Sequence, residues 1–204
     1  MPKIKICGLK RKEDIAYVNQ WQPDFIGFVF APSKRQITRE KAVQLKGLLT
    51  VDIPVLGVFV NQSLEEMVSC VESGAVDWIQ LHGDETEVVI RKLRERVKVP
   101  IVKAVRVREE ADVYEADKLS CDYLLLDAFS PEAYGGTGQR FSWDMIPKDI
   151  RHPYFLAGGI DISNIEEARK TNCYAIDVSG GAETDGCKDA KKIEELVRAA
   201  HSCC

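Results

Sequence analysis

The chain has 204 residues, of which 45% are hydrophobic and 29% are charged, and its formal net charge is −4. This balance is typical of a globular protein with enough apolar residues for one core, and we expect a single domain over residues 1–204. Charges of both signs are spread along the chain, which argues against a nucleic-acid partner. No apolar run is long enough to cross a bilayer, so we expect no membrane partner.

The cysteine pattern bears on the cellular compartment. Seven cysteines are present, and none of them forms a CxxC metal-binding spacing. The N-terminus lacks the charged and then apolar layout of a signal peptide. We therefore expect reduced thiols and a cytoplasmic protein. The cysteines are Cys7, Cys70, Cys121, Cys173, Cys187, Cys203 and Cys204.

Short β-rich runs alternate along the chain with charged segments of helical periodicity. The predicted strands cover residues 3–7, 24–30, 54–60, 77–81, 100–105, 122–127, 153–158 and 174–179. The predicted helices cover residues 11–20, 38–49, 63–74, 85–97, 108–119, 162–171 and 188–200. A short SWDMI segment lies between strands six and seven. Thr38 and Ser63 are predicted helix N-caps.

This strict alternation predicts parallel strands joined by right-handed crossovers. Eight units fit a closed (β/α)8 TIM barrel of the α/β class. About 250 residues is typical of that fold, so we expect a compact barrel with short loops. An open doubly wound sheet is the alternative, but the loop after the first strand lacks the GxGxxG pattern that would favour it. The barrel is therefore the favoured prediction.

Polar and ionisable residues follow nearly every predicted strand, and a barrel has its active site at these C-terminal strand ends. LAGGI and DVSGGAE follow strands seven and eight, where this fold often binds phosphate. Glycine backbone N–H groups, with a following helix N-terminus, suit a phosphate dianion. Alternatively, these glycines only form tight turns. The candidate phosphate-binding residues are Gly158, Gly159, Ser179, Gly180 and Gly181.

An ordered set of motifs spans nearly the whole chain: KICGL, GFVFAPSKRQI, VGVFVN, QLHGDE, LLLDA, GGTGQRFSW, LAGGI, and DVSGGAE followed by GCKD. Together they resemble phosphoribosylanthranilate isomerase of tryptophan biosynthesis. The resemblance implies a (β/α)8 barrel without a cofactor. It also implies an Amadori rearrangement of N-(5′-phosphoribosyl)anthranilate to 1-(o-carboxyphenylamino)-1-deoxyribulose 5-phosphate. The SGGAE loop departs from the family, which more often has a β-branched residue after the first glycine.

The resemblance implies that Asp127 is the general acid and Cys7 the general base. An ordinary aspartic acid has lost its proton at neutral pH, so we expect desolvation or the substrate's charge to help Asp127 retain one. We expect the pKa of Cys7 to be lowered. Lys5 shares a strand face with Cys7 and could favour the thiolate while pairing with Asp177. The alternatives are a small buried cysteine and a helix-capping or ion-paired aspartate.

Arg35, His82 and Asp177 are further candidates for substrate binding. The Arg35 guanidinium suits the anthranilate carboxylate, although it could equally be a solvated arginine. His82 and Asp177 would orient the substrate at the barrel mouth. The histidines are too scattered for a metal site, so we expect no metal. The GGTGQRFSW loop, residues 135–143, is a candidate lid, or a loop without a gating role.

Two other classes of function compete with this interpretation. Lys103 could form a Schiff base in an aldolase-type phosphosugar barrel. A barrel that only binds a phosphorylated metabolite is the second competitor. A related isomerase of histidine biosynthesis has an aspartate at the end of the first strand, so Cys7 argues against it. We expect a phosphosugar substrate and a monomer, which could associate with other tryptophan-pathway enzymes.

Overall fold

The computed structural model describes residues 1–128 and 142–202. Within these ranges, parallel strands β1 to β8 close into a barrel in chain order, and β8 pairs with β1. The (β/α)8 barrel is confirmed, and the open doubly wound sheet is wrong. The strands are β1 Lys3–Cys7, β2 Phe25–Val29, β3 Val55–Phe59, β4 Trp78–Leu81, β5 Ile101–Val107, β6 Tyr123–Ala128, β7 Tyr154–Leu156 and β8 Ala175–Val178.

The helices lie where the periodicity predicts them. Thr38 and Ser63 accept hydrogen bonds from the backbone N–H groups of Lys41 and Glu66, which confirms both N-caps. None of the helices in the described part of the chain is both long and apolar enough to span a membrane. They are α1 Lys12–Trp21, α2 Arg39–Lys46, α3 Leu64–Glu72, α4 Glu87–Arg96, α5 Glu110–Ala116, α6 Ile165–Arg169 and α7 Ala190–His201. The SWDMI segment contains a 3-10 turn at Trp143–Met145.

A small hairpin between β8 and α7 is missing from the sequence prediction. It pairs β9 Glu183–Thr184 with β10 Cys187–Lys188 in antiparallel register. Its two turn residues, Asp185 and Gly186, have φ values of 51° and 73°. A tight two-residue hairpin turn needs positive φ at both positions, and Asp-Gly is its sequence signature. Strands of two residues are too short to show periodicity, so the Asp-Gly pair was the only available signal.

The barrel interior changes from apolar to polar along the strands. Towards the N-terminal strand ends it holds a buried apolar layer of Phe25, Leu56, Val102, Leu125, Phe155 and Ala175, and Ala104 and Ala157 adjoin this layer further along β5 and after β7. Side chains alternate between the two faces of a strand. The next interior positions on β1, β4 and β8 are therefore Lys5, Gln80 and Asp177, all of them buried. The polar end of the interior is the C-terminal one, where this fold places its chemistry.

Gly27 on β2 makes room for two side chains of β1. A Cβ at this position would lie 2.7 Å from Cys7 Sγ and 3.1 Å from Lys5 Cε. Both distances are shorter than ordinary van der Waals contact between heavy atoms. A glycine therefore allows the Cys7 thiol and the Lys5 stem to lie against the neighbouring strand.

We expect Gly27→Ala to destabilise the fold by about 1–3 kcal/mol, the usual cost of adding a methyl group to a packed core. Urea unfolding would measure the change. Gly47→Ala is the matched control, because Gly47 has a helical φ of −63° and ends α2; it should shift stability by less than about 1 kcal/mol. A Gly27→Ala protein as stable as the wild type would show that Cys7 and Lys5 can move aside.

Candidate active site

Cys7 ends β1 at the C-terminal mouth of the barrel and is 7% exposed. Its carbonyl oxygen accepts a hydrogen bond of 3.2 Å from Ser179 Oγ, which joins β1 to the loop after β8. Burial raises the pKa of the Cys7 thiol, and the nearby ammonium groups of Lys5 and Lys188 offset only part of that effect. The expectation of a lowered pKa is therefore wrong for the protein alone. The thiol is buried, and the charged side chains of Lys5, Asp177 and Lys188 lie close enough to affect its pKa.

Lys5 forms the predicted ion pair with Asp177. Lys5 Nζ lies 3.0 Å from Asp177 Oδ2 and 2.6 Å from Gln80 Oε1, with no exposed surface on the lysine. Burial alone would lower the pKa of Lys5, but Asp177 and Cys7 outweigh it and raise the pKa. The other carboxylate oxygen, Asp177 Oδ1, is buried without a hydrogen-bond partner among the described residues. A buried acceptor in this position can take a hydroxyl donor from a ligand.

Asp127 lies near the end of β6 and is buried. Its Oδ1 accepts a 2.8 Å hydrogen bond from the Ala128 N–H, and its Oδ2 lies 3.4 Å from His82 Nε2. A Cβ on Gly158 would be 3.0 Å from Asp127 Oδ1, so the loop after β7 lies directly against this carboxylate. The structure thus brings together three of the predicted site residues, on β6 and in the loops after β4 and β7.

The glycine loops after β7 and β8 contact each other. Gly158 and Gly159 have φ values of 91° and 61°, which favour glycine. A Cβ on Gly181 would overlap the Ile160 carbonyl oxygen of the other loop. The candidate phosphate-binding residues therefore lie in one place, and the 3-10 turn Gly180–Ala182 directly follows β8.

The helix N-terminus nearest the second glycine loop belongs to the 3-10 helix Gly180–Ala182, whereas the N-terminus of α7 lies further along the chain and is already capped. The Asp189 side chain caps α7 by accepting hydrogen bonds from the Lys191 and Lys192 N–H groups. The β9–β10 hairpin separates α7 from the glycine loop. An additional anion would compete with the carboxylate that already occupies this helix end.

Arg35 is anchored at the mouth rather than solvated. Its Nε and Nη2 atoms lie 2.6 Å and 2.9 Å from the two carboxylate oxygens of Glu183 on β9. Lys188 Nζ donates to the same carboxylate at 2.8 Å and to the Ser179 carbonyl at 2.9 Å. A Cβ on Gly8 would overlap the Arg35 stem, so the arginine lies over the residue that follows Cys7. This geometry places a cation beside the thiol.

Lys103 faces away from the barrel interior. Its β5 neighbours Val102 and Ala104 belong to the interior layer, so alternation places Lys103 on the opposite face. Its Nζ donates to Gly83 O at 2.6 Å and lies 3.1 Å from Glu85 Oε2. Burial lowers the pKa of Lys103, and Glu85 partly opposes the effect. The lysine holds the loop that carries His82, and its position disfavours a Schiff base in the barrel mouth.

The structure also bears on the predicted lid, on metal binding and on the state of the cysteines. The candidate lid, residues 135–143, lies outside the described residues except for Ser142 and Trp143. Among residues 1–128 and 142–202, no three His, Cys, Asp or Glu side chains are grouped so that they could hold a metal ion. The cysteines within these ranges are all free thiols: Cys7, Cys70, Cys121, Cys173 and Cys187.

Known proteins resemble this chain in sequence and in architecture. The family model described as N-(5'phosphoribosyl)anthranilate (PRA) isomerase matches residues 4–199. The chain belongs to this isomerase family. The N-(5'-phosphoribosyl)anthranilate isomerase of Endomicrobium trichonymphae is 48% identical over 203 residues, which are 99% of this chain and 100% of that protein.

Solved isomerase structures agree with this assignment. The phosphoribosyl anthranilate isomerase from Thermotoga maritima superposes with a TM-score of 0.87 at 33% identity, covering 98% of each chain. A second structure, of a phosphoribosyl anthranilate isomerase in complex with reduced 1-(o-carboxyphenylamino)-1-deoxyribulose 5-phosphate, has a TM-score of 0.80. It is 30% identical and also covers 98% of each chain. The family resemblance inferred from the ordered motifs is thereby confirmed.

Three residues at the mouth of this isomerase-family barrel were absent from the sequence prediction. Gln80 shares the interior face of β4 with His82, and a lone glutamine between Ile79 and Leu81 was a usable signal. Glu183 and Lys188 become neighbours only through the β9–β10 hairpin. Their proximity could have been inferred only by first recognising the Asp-Gly turn.

Replacing Lys103 with methionine should destabilise the protein by about 3–5 kcal/mol, because it leaves the buried Glu85 carboxylate without its cation. Chemical denaturation would measure this loss. Lys118→Met, at an exposed lysine, is the control and should change stability by less than about 0.5 kcal/mol. Trapping of a sugar phosphate on Lys103 by borohydride would contradict the structural role given to this lysine.

The Glu183 carboxylate should contribute acid-sensitive stability. Burial alone would raise its pKa, but hydrogen bonds from Arg35 and Lys188 bring the pKa down to about 2. An unfolded glutamate titrates near pH ~4.3, so the contribution is complete above that pH and is lost as the pH falls towards 2.

The free energies of unfolding of wild type and Glu183→Gln should therefore converge by about 3 kcal/mol as the pH is lowered from about 5 to about 2. Urea titrations at several pH values would measure the difference. Glu13→Gln, on the exposed face of α1, should run parallel to the wild type. Parallel curves for Glu183→Gln as well would contradict the assigned interaction.

Proposed function

We propose that this chain converts N-(5′-phosphoribosyl)anthranilate to 1-(o-carboxyphenylamino)-1-deoxyribulose 5-phosphate in tryptophan biosynthesis, with Cys7 and Asp127 as the proton-transfer groups. One observation carries the residue assignment. Cys7 ends β1 and Asp127 is the penultimate residue of β6, so both lie at the same barrel mouth, beside the glycine loops that follow β7 and β8. The family relative solved with a reduced form of this product supports the choice of substrate.

In the first step, protonated Asp127 gives its proton to the ribose ring oxygen. The bond between that oxygen and C1′ breaks, and the nitrogen lone pair forms a C1′=N double bond, which leaves a cationic iminium. Asp127 becomes a carboxylate. Hydrogen bonding from the Ala128 N–H, and the nearby His82 ring, suit a group that gains negative charge in this step.

In the second step, the Cys7 thiolate removes the proton from C2′. The C–H electron pair forms a C1′=C2′ double bond, and the iminium electrons return to nitrogen. The resulting enolamine becomes the ketone when the C2′ hydroxyl loses a proton and C1′ gains one, so no external oxidant or reductant is required. The iminium brings a positive charge close to Cys7, which favours the thiolate against its buried surroundings. Lys5 and Lys188 act in the same direction.

The remaining predicted residues suit binding roles. Backbone N–H groups of Gly159, Gly180 and Gly181 would donate to the phosphate. Arg35, held by Glu183 above Gly8, would meet the anthranilate carboxylate. Asp177 Oδ1, which has no hydrogen-bond partner among the described residues, would accept a substrate hydroxyl.

A barrel that only binds a phosphorylated metabolite needs the glycine loops but neither proton-transfer group. Cys7 and Asp127 at the mouth therefore favour the isomerase over a pure binding protein. The proposed site is built from one chain, so it requires no second copy. A monomer, a cytoplasmic location and association with other tryptophan-pathway enzymes stay predictions.

Cys7→Ser and Asp127→Asn should each lower kcat by about 10²–10⁴-fold, the usual contribution of a general acid or base. Loss of fluorescence of freshly prepared substrate would follow turnover. Both variants should still fold and bind the reduced product analogue. Cys187→Ser is the matched cysteine control and should retain activity, because Cys187 lies on β10 outside the proposed chemistry. Full activity in either site variant would overturn the assigned proton-transfer role.

A further inference from the structure

A line of polar side chains crosses the barrel interior from β1 to β6. Lys5 Nζ lies 2.6 Å from Gln80 Oε1, and Gln80 Nε2 lies 2.8 Å from His82 Nδ1. His82 Nε2 then lies 3.4 Å from Asp127 Oδ2. Every member of this line is buried, with exposed fractions of 8% or less. The line ends on the carboxyl group to which the proposed function assigns the role of general acid.

The direction of hydrogen bonding along this line is set at Lys5. An ammonium group has donors only, so the Gln80 atom next to it must be the carbonyl oxygen. The Gln80 amide is thereby oriented, and its NH₂ group faces His82. Because Lys5 is ion-paired with Asp177 and wholly buried, its charge is maintained and the glutamine cannot reverse without placing two donors against each other.

The orientation of Gln80 decides which nitrogen of His82 carries the proton. A ring nitrogen that faces an NH₂ donor at 2.8 Å must be the acceptor. We infer that Gln80 is a positioning residue that holds the His82 proton on Nε2, the atom that faces Asp127. Lys5, two residues before the general base in the chain, thus determines through Gln80 whether the His82 nitrogen beside the general acid carries a proton.

This assignment rests on the proposed function for its catalytic meaning. A proton on His82 Nε2, which lies 3.4 Å from Asp127 Oδ2, would favour the negative charge that Asp127 gains when it has given up its own proton. The opposite tautomer would present a lone pair to Asp127, and a protonated Asp127 would then donate to His82 instead of to the substrate. The tautomer therefore affects how readily the acid releases its proton to the ribose ring.

Nitrogen-15 NMR of histidine-labelled protein tests the tautomer directly and needs no substrate. The chain has three histidines, and the His82 signals would be assigned by their loss in His82→Asn. We expect a protonated Nε2 and an unprotonated Nδ1 in the wild type. Protonation of Nδ1 in the wild type, as the other tautomer or as the cation, would overturn the inference.

Gln80→Glu replaces the NH₂ donor that faces His82 with a carboxylate oxygen, an acceptor, and hardly changes the shape of the side chain. The carboxylate accepts from both Lys5 and His82, so the proton is expected on His82 Nδ1. We expect kcat to fall at least tenfold while KM changes by less than about threefold. Gln44→Glu, on the exposed face of α2, makes the same charge change and should leave both constants unaltered. An unchanged nitrogen-15 pattern in Gln80→Glu would show that Gln80 only fills space.

A second variant of Gln80 keeps the test decisive if Gln80→Glu fails to fold. Gln80→Met removes the NH₂ donor, and His82 should then show a mixture of tautomers, whereas a merely space-filling role for Gln80 predicts the wild-type pattern. A wild type with the expected tautomer and no turnover of phosphoribosylanthranilate would uphold the positioning role and overturn the proposed function alone.

Discussion

The ion pair between Lys5 and Asp177 lies where the barrel closes, and it also places a positive charge near the catalytic mouth of the barrel. The two residues are register partners where β8 pairs with β1, so the pair lies at the seam that closes the sheet. A fully buried ammonium without a partner would cost several kcal/mol, and this barrel supplies both a carboxylate and the Gln80 oxygen. The same cation lies beside Cys7 and orients the line of side chains that leads to Asp127.

A second group of charges lies beside Cys7 at the barrel mouth. Glu183 accepts hydrogen bonds from Arg35, in the loop after β2, and from Lys188, on β10. A single carboxylate therefore joins two separate βα connections and holds the guanidinium above Gly8. Cations that are already positioned need little reorganisation when an anionic substrate arrives. The β9–β10 hairpin, although only a few residues long, provides two of the three charged groups.

The sequence pattern predicted the features that follow from the order of residues along the chain. Alternation of β-rich and helical segments predicted the closed barrel, and side-chain alternation with closure predicted the Lys5–Asp177 pair. The lowered Cys7 pKa was wrong because the thiol is enclosed by the barrel wall and Gly27, and this burial outweighs the nearby cations.

The sequence by itself determined the fold class, the strand ends that carry the polar residues and the membership of the isomerase family, because periodicity and motif order are properties of the linear chain. Only the tertiary structure decided that Arg35 is bound by Glu183, that Lys103 faces outward beside Glu85, and that Gln80 directs its amide towards His82. These features depend on distances between residues far apart in the chain. Such distances arise when the strands close into a barrel and bring their ends within hydrogen-bonding reach.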